Sequence, residues 1–291
     1  MTARADLART DEAQGALLTA VLLLCAVGAV AVFSAAAPLA LDRAIPPHFV
    51  RHVGALLVGG ALIYVAGRLP LTFWRGAALP LYAISIVALV ATLAMGHSAG
   101  GARRWLALPG GLTVQPIEFA KLTTVLAVTF VLARKDGRAE VTGRQFLVAL
   151  ALAALPAGLS LAQPDLGSAV ILCVLAGTLL LVAGARVRHL AAPAVLGAAF
   201  VGSYVALRPY ALKRWTGFLD PWSHASTEGF QLVQSYVAFG RGGLNGVGIG
   251  NGSQKLFYLP EAHNDFILSV VAEETGLIGV WFVLVPSSHS C

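Results

Sequence analysis

The chain has 291 residues, of which 57% are hydrophobic and 12% charged, about half the charged share of a soluble globule. So little polar surface cannot cover a water-soluble domain, and most of the exterior must face lipid. The net charge of +6 suits basic loops meeting anionic headgroups; no basic helix or aromatic-interleaved stretch points to nucleic acid.

Windows of about 20 apolar residues predict eight membrane-spanning helices, near 16–37, 49–67, 77–96, 116–133, 145–162, 168–185, 189–207 and 265–285. In lipid each backbone N–H and C=O must be satisfied within its own segment, so runs this long and free of alternation read as helices. The expected fold is all-α: a polytopic helical bundle forming a single membrane domain over 1–291. The first run ends in small residues like a signal-peptidase site, but Asp6, Asp11 and Glu12 mix with Arg4 and Arg9 before it; it is read as an uncleaved span. Residues 208–264 form the one long break. It shows little helical pattern and reads as a structured loop of the functional kind. Cys25, Cys173 and Cys291 make neither a disulfide framework nor a metal set.

With a cytoplasmic N-terminus the inner segments hold Arg4, Arg9, Arg68, Arg75, Arg134, Lys135, Arg138, Arg144, Arg186 and Arg188, against Arg43, Arg51, Arg103 and Arg104 in the short outer loops. The positive-inside rule therefore places the N-terminus in the cytoplasm and the long loop outside. On this topology Glu118 and Lys121 at the start of the fourth span, Asp165 at the end of the fifth and Asp265 at the start of the eighth all fall on the outer face, with Arg103 and Arg104 beside them. Ionisable groups at a membrane boundary are a functional-site hypothesis by default.

Each of these has a plainer reading as well. Glu118 and Lys121 are three apart and share a helix face, and spacing alone is met equally by a structural ion pair. If burial is deep, removing either partner would cost about 3–5 kcal/mol. Pro164 and Gly167 make a connector in which Asp165 caps the sixth helix. The Gly-rich tract from Gly240 to Gly252 fits no G-x-G-x-x-G register, so it is no nucleotide loop. Its amides and Arg241 could still cradle a pyrophosphate, although loop packing is the favoured role. Glu273 and Glu274, roughly 12 Å beyond Asp265 along the eighth helix, are expected as protonated or hydrogen-bonded packing residues. His263 has no His or Cys partner at metal-ligand spacing.

Four motifs occur in a familiar order: Gly101-Ala-Arg-Arg-Trp105, Gln115-Pro-Ile-Glu-Phe-Ala-Lys121, Gln163-Pro-Asp-Leu-Gly-Ser168 and Lys255-Leu-Phe-Tyr-Leu-Pro-Glu-Ala-His263 with Asn264-Asp265. Together they resemble the SEDS family of membrane glycosyltransferases, which includes FtsW, RodA and SpoVE, and lean toward its FtsW and SpoVE side. The resemblance covers about 16–285. Ile117, Asn264 and Thr275 depart from the family pattern.

The resemblance implies polymerisation of lipid II into β-1,4 glycan strands during cell division, in the bacterial inner membrane. Asp265 would be the base, with Glu118 and Lys121 in the catalytic cavity. Arg103, Arg104, Arg241, His263, Gln163 and Asp165 would bind substrate, the cations stabilising pyrophosphate. No nucleotide cofactor is implied; a divalent cation, Mg or Mn, held by carboxylates and lipid phosphates fits the same chemistry. Implied partners are lipid II, a class B penicillin-binding protein and other division proteins. Two other functions stay open: a lipid II transporter, which would want charges staged across both leaflets, and an inactive scaffold. Family members have ten spans, so the chain is expected to be truncated or frameshifted near Pro286, and a version extended by two apolar spans is expected to be more stable and more active.

Overall fold

The computed structural model describes residues 2–40, 44–99, 102–108, 112–133, 141–256, 259 and 264–288. The chain forms two compact units, Met1–Val65 with Val205–Cys291, and Ala66–Tyr204. Its elements run α1 (Thr2–Ala36), α2 (Pro47–Arg68), α3 (Leu71–Met95), β1 (His97–Ala99), β2 (Ala102–Leu108), β3 (Leu112–Val114), α4 (Pro116–Leu132), α5 (Gly143–Ala162), α6 (Leu166–Val182), α7 (Val187–Leu207), α8 (Pro209–Leu219), α9 (Phe230–Gly242) and α10 (Ile267–Ser288). Every expected span is helical. Six of these helices, α1, α2, α3, α5, α7 and α10, are long and apolar enough to cross a membrane. The 17-residue α4 and α6 reach only about 25 Å at 1.5 Å per residue, somewhat short of a ~30 Å hydrocarbon core.

The unit Ala66–Tyr204 packs α3, α4, α5 and α6. Leu89, Ile117, Ala120, Ala157, Ala169 and Leu172 form one buried cluster, and Val128, Leu132, Ala149 and Leu180 another. Alanines at these contacts let the backbones approach closely, which is how helices associate without a hydrophobic drive in lipid. Polar bonds stitch the same helices: Thr123 donates to Ser85 Oγ at 2.9 Å and the Tyr82 hydroxyl to the Leu152 carbonyl at 2.9 Å. A Thr142–Gln145 capping box opens α5, and Pro116 at N1 opens α4. Between α3 and α4 lies a three-stranded antiparallel sheet in the order β1-β2-β3. The sequence reading did not foresee this sheet, because β1 and β3 are three residues each and the seven residues of β2, Ala-Arg-Arg-Trp-Leu-Ala-Leu, show no alternation.

In the other unit α10 is not one continuous helix. Gly276 sits at φ 67°, ψ −168°, so the i→i−4 ladder cannot run through it. Among the groups freed are the N–H of Leu277 and Ile278 and the C=O of Glu273 and Glu274. The Gly-rich tract takes these four: Leu277 N–H donates to the Gly243 carbonyl at 2.9 Å and Ile278 N–H to that of Leu244 at 3.3 Å, while Val247 and Gly248 N–H donate to the Glu273 and Glu274 carbonyls at 3.0 Å each. Non-helical backbone at such a place is tolerated only where protein satisfies it. Close approach demands the glycines: a Cβ at Gly242 would run into the Ala272 carbonyl, and one at Gly246 into that of Glu274.

Residues 208–264 also differ from expectation, since α8 and α9 lie within them. Both helices are short and amphipathic, and their Gly, Trp and Tyr content masked a period visible over only two or three turns. α9 buries Val233, Ala238 and Gly242 and carries Ser235, whose hydroxyl meets that of Ser269 on α10 at 2.7 Å. Beyond α8, hydrogen bonds from the Ser223 hydroxyl and amide hold Asp220 below the usual carboxylate range.

Gly276→Ala should destabilise this unit by about 1–3 kcal/mol, because it places a Cβ at positive φ and against the Leu244 carbonyl. Gly177→Ala in α6, where a Cβ meets nothing within 4 Å, should be neutral or slightly stabilising. Thermal unfolding of the two variants in detergent checks the contrast.

Candidate functional site

In the unit Ala66–Tyr204 the candidate residues gather around the start of α4 and the turn between α5 and α6. Side chains alternate along a strand, so Arg103 and Arg104 on β2 diverge. Arg103 is exposed, whereas Arg104 turns to the α5–α6 connector, where Nε donates to the Gln163 carbonyl at 3.1 Å and Nη2 to that of Pro164. Gln163 is 2% exposed, and its Nε2 donates to the Leu89 carbonyl at 3.1 Å. It clasps α3 to α5 and seats Arg104; it does not present its amide to a ligand. Asp165 is the N-cap of α6, accepting from the Ser168 amide at 3.1 Å, as its position ahead of that helix suggested.

Lys121 Nζ and Glu118 Oε1 are 2.7 Å apart, and the lysine side chain is 17% exposed against 61% for the glutamate. The pair forms as the spacing required, but deep burial is absent. A contact with so wet a partner holds little stability and keeps the ammonium of Lys121 oriented at the mouth of the helix. Arg103, Arg104 and Lys121 belong to one unit, whose candidate carboxylates are the exposed Glu118 and the half-buried Asp165.

In the unit formed by the two ends of the chain, Asp265 is exposed two residues before α10. His263 and Glu261 lie outside the described residues. The strap from Lys255 to Asp265 is anchored at its base. Lys255 Nζ lies 2.6 Å from Glu274 Oε1 and 2.7 Å from Ser34 Oγ, and the Ser34 hydroxyl reaches Glu274 Oε1 at 2.7 Å. Both charged side chains are 5% exposed. Leu259 then buries itself against Ala35 of α1 and Val270 of α10, with Phe266 and Ile267 alongside. Asp265 is thus carried on a segment tied at Lys255, Leu259 and Phe266.

Glu273 takes the opposite side of the break. Its Oε1 accepts from the Ser253 amide and hydroxyl at 3.0 and 3.1 Å, its Oε2 from the Gln254 amide at 3.0 Å, and Arg241 Nε stands 3.8 Å away. Arg241 also donates to Ser253 Oγ. The expectation that both glutamates are hydrogen-bonded packing groups holds. Two amides of the Gly-rich tract, those of Val247 and Gly248, are bonded to α10. Lys255 and Ser34 were missed by the sequence reading. The available signal was charge balance: two adjacent acids in an apolar helix require two cations, and Arg241 near the start of the Gly-rich tract and Lys255 just after it are the nearby basic residues.

Lys255→Met should destabilise the protein by about 3–5 kcal/mol by stranding the buried Glu274, and adding Glu274→Leu should restore most of that. Lys121→Met should cost under about 1 kcal/mol, since its partner is exposed to solvent. Equilibrium or thermal unfolding of the three variants measures both.

The comparisons with known proteins place the chain in a family. Residues 15–286 match the FtsW, RodA and SpoVE family of cell cycle proteins. A probable peptidoglycan glycosyltransferase FtsW of Coxiella burnetii is 41% identical over 234 residues, which cover 80% of this chain and 63% of that protein. A second, from Nitrosococcus halophilus, is 39% identical over 90% of this chain and 68% of its own length. The chain thus spans about two thirds of these relatives. Among solved structures, a chain of a peptidoglycan synthase complex that coordinates polymerization and crosslinking superposes with a TM-score of 0.71 at 29% identity, covering 94% of this chain and 74% of that one. The rod shape determining protein RodA of Thermus thermophilus superposes with a TM-score of 0.62 at 26% identity, covering 94% and 71%. The match over residues 15–286 and the relatives about 40% identical over most of the chain show that this multi-pass membrane chain belongs to the FtsW, RodA and SpoVE family.

Proposed function

We propose that this chain is a peptidoglycan glycosyltransferase that polymerises lipid II into β-1,4 glycan strands in cell division. The observation that carries the reading is Asp265, an exposed carboxylate at the head of an apolar helix, on a strap tied down by a buried ion pair. The names of the FtsW relatives and the synthase complex on which the chain superposes support it.

In the proposed reaction the sugar hydroxyl of the acceptor attacks the anomeric carbon of the donor, inverting it, as the bond to undecaprenyl pyrophosphate breaks. Asp265 accepts the hydroxyl proton. Lys121, oriented by Glu118, together with Arg103 and Arg104, stabilises the charge gathering on the departing pyrophosphate. Gln163 and Asp165 act behind them, seating Arg104 and shaping the α5–α6 turn; Arg241 braces the Gly-rich tract. His263 remains a proposed substrate contact. A divalent cation, Mg or Mn, held by carboxylates and the substrate's pyrophosphate, fits the same chemistry. The partners proposed are lipid II, a class B penicillin-binding protein and other division proteins, at the bacterial inner membrane with the N-terminus in the cytoplasm.

Purified lipid II and a class B penicillin-binding protein, incubated with the wild type and with Asp265→Asn, test the scheme by gel analysis of glycan strands. The wild type should polymerise, and the variant should insert normally yet lose about 100-fold or more. Full product from the variant would remove Asp265 as the base, and no product from the wild type would overturn the proposed function.

A further inference from the structure

α8 points its apolar side away from the protein. Within Pro209–Leu219, residues Leu212, Trp215, Phe218 and Leu219 recur at three-, four- and seven-residue intervals and so share one stripe. Each is 43–66% exposed. The Trp215 and Phe218 rings lie side by side, with centroids 6.2 Å apart. Lys213, Arg214 and Gly217 occupy the other arc, and Gly217 is the buried residue there: a Cβ on it would press on Glu228 and Gly229. In a water-soluble protein this helix would face the other way round.

The chain's own continuity says what meets the stripe. α7 crosses the membrane and ends at Leu207, itself 80% exposed. After it comes one extended residue, Arg208, and Pro209 begins α8. The extended Arg208, at φ −110° and ψ 107°, breaks the helical path and Pro209 opens a new helix, so α8 starts within a residue or two of the point where α7 leaves the hydrocarbon. A helix at that depth, with Trp, Phe and Leu on one arc and Lys and Arg on the other, has the composition of one lying in the membrane interface. The basic arc complements headgroup phosphates, and the tryptophan sits where such rings concentrate.

We infer that α8 is an interfacial helix whose Leu212, Trp215, Phe218 and Leu219 are immersed at the headgroup–acyl boundary of the leaflet in which α7 ends. It thereby tethers the start of the 208–264 segment to the bilayer surface. The rest of that segment, including the Gly-rich tract and the Asp265 strap, is held between this lipid contact and α10. The occupant of the stripe is lipid, not a partner protein and not a second copy.

Nitroxide scanning of the whole chain tests this without reference to catalysis. With Cys25, Cys173 and Cys291 replaced, single cysteines at 212, 213, 215, 216, 218 and 219 are spin-labelled, and the protein is reconstituted in phosphatidylethanolamine–phosphatidylglycerol vesicles. Labels at 212, 215, 218 and 219 should collide several-fold more with oxygen than with a water-soluble nickel chelate, and labels at 213 and 216 should show the reverse. A second measurement, quenching of Trp215 by brominated lipids in a chain lacking the other tryptophans, should show strong quenching by bromines placed near the top of the acyl chain. Chelate-accessible labels at both 215 and 219 would overturn the inference, as would labels immobilised and shielded from both reagents, which would mean that protein covers the stripe.

Discussion

The structure of the unit formed by the two chain ends depends on one constraint: a helix broken in an apolar setting must have its freed backbone groups satisfied by protein. Gly276 interrupts the α10 ladder, and the rungs of Leu277 and Ile278 are each replaced by a pair of bonds to residues 243–248. The Gly-rich tract is therefore a splice, its amides and carbonyls standing where the missing helical partners would be. This explains the density of glycine better than flexibility does, since a side chain at Gly242 or Gly246 would occupy the space the α10 carbonyls fill.

The twin glutamates at the break make the same joint electrostatically. Two carboxylates side by side in a span would repel and desolvate at a cost of several kcal/mol each. Here Glu274 faces Lys255 and Ser34, while Glu273 faces two backbone amides, the Ser253 hydroxyl and Arg241. One acid secures α1 and the strap leading to Asp265, and the other secures the exit of the Gly-rich tract. Buried pairs of this kind contribute little net stability relative to apolar packing, but they specify one arrangement strongly, because every alternative strands a charge. That is a sensible use of charge behind a residue that must be placed accurately, as Asp265 must under the proposed transfer.

Much of this fold was legible in the residues. The spans declared themselves by length and hydropathy, because lipid admits few alternatives to helix. The capping role of Asp165 and the pairing of Glu118 with Lys121 followed from spacing. What stayed hidden depended on contacts distant in sequence. Lys255 meets Ser34 across 221 residues, and no local pattern announces that. The exposure of Glu118 was equally invisible, since position on a helix says nothing about what covers it. α8 and α9 were missed because two turns of amphipathic period, interrupted by glycine and aromatics, resemble a loop. The buried clasp of Gln163 was read as a ligand contact because an amide beside a proline turn serves either purpose.

Hydrogen exchange at the splice tests the central claim most directly. The amides of Val247, Gly248, Leu277 and Ile278 have no partners within a regular helix and are bonded only across the joint. The account predicts that in the intact protein in a bilayer or nanodisc they exchange as slowly as amides in the interior of α10, and that Lys255→Met accelerates all four together. Exchange of Val247 and Gly248 at the rate of an open loop, with Leu277 and Ile278 protected independently of them, would contradict it.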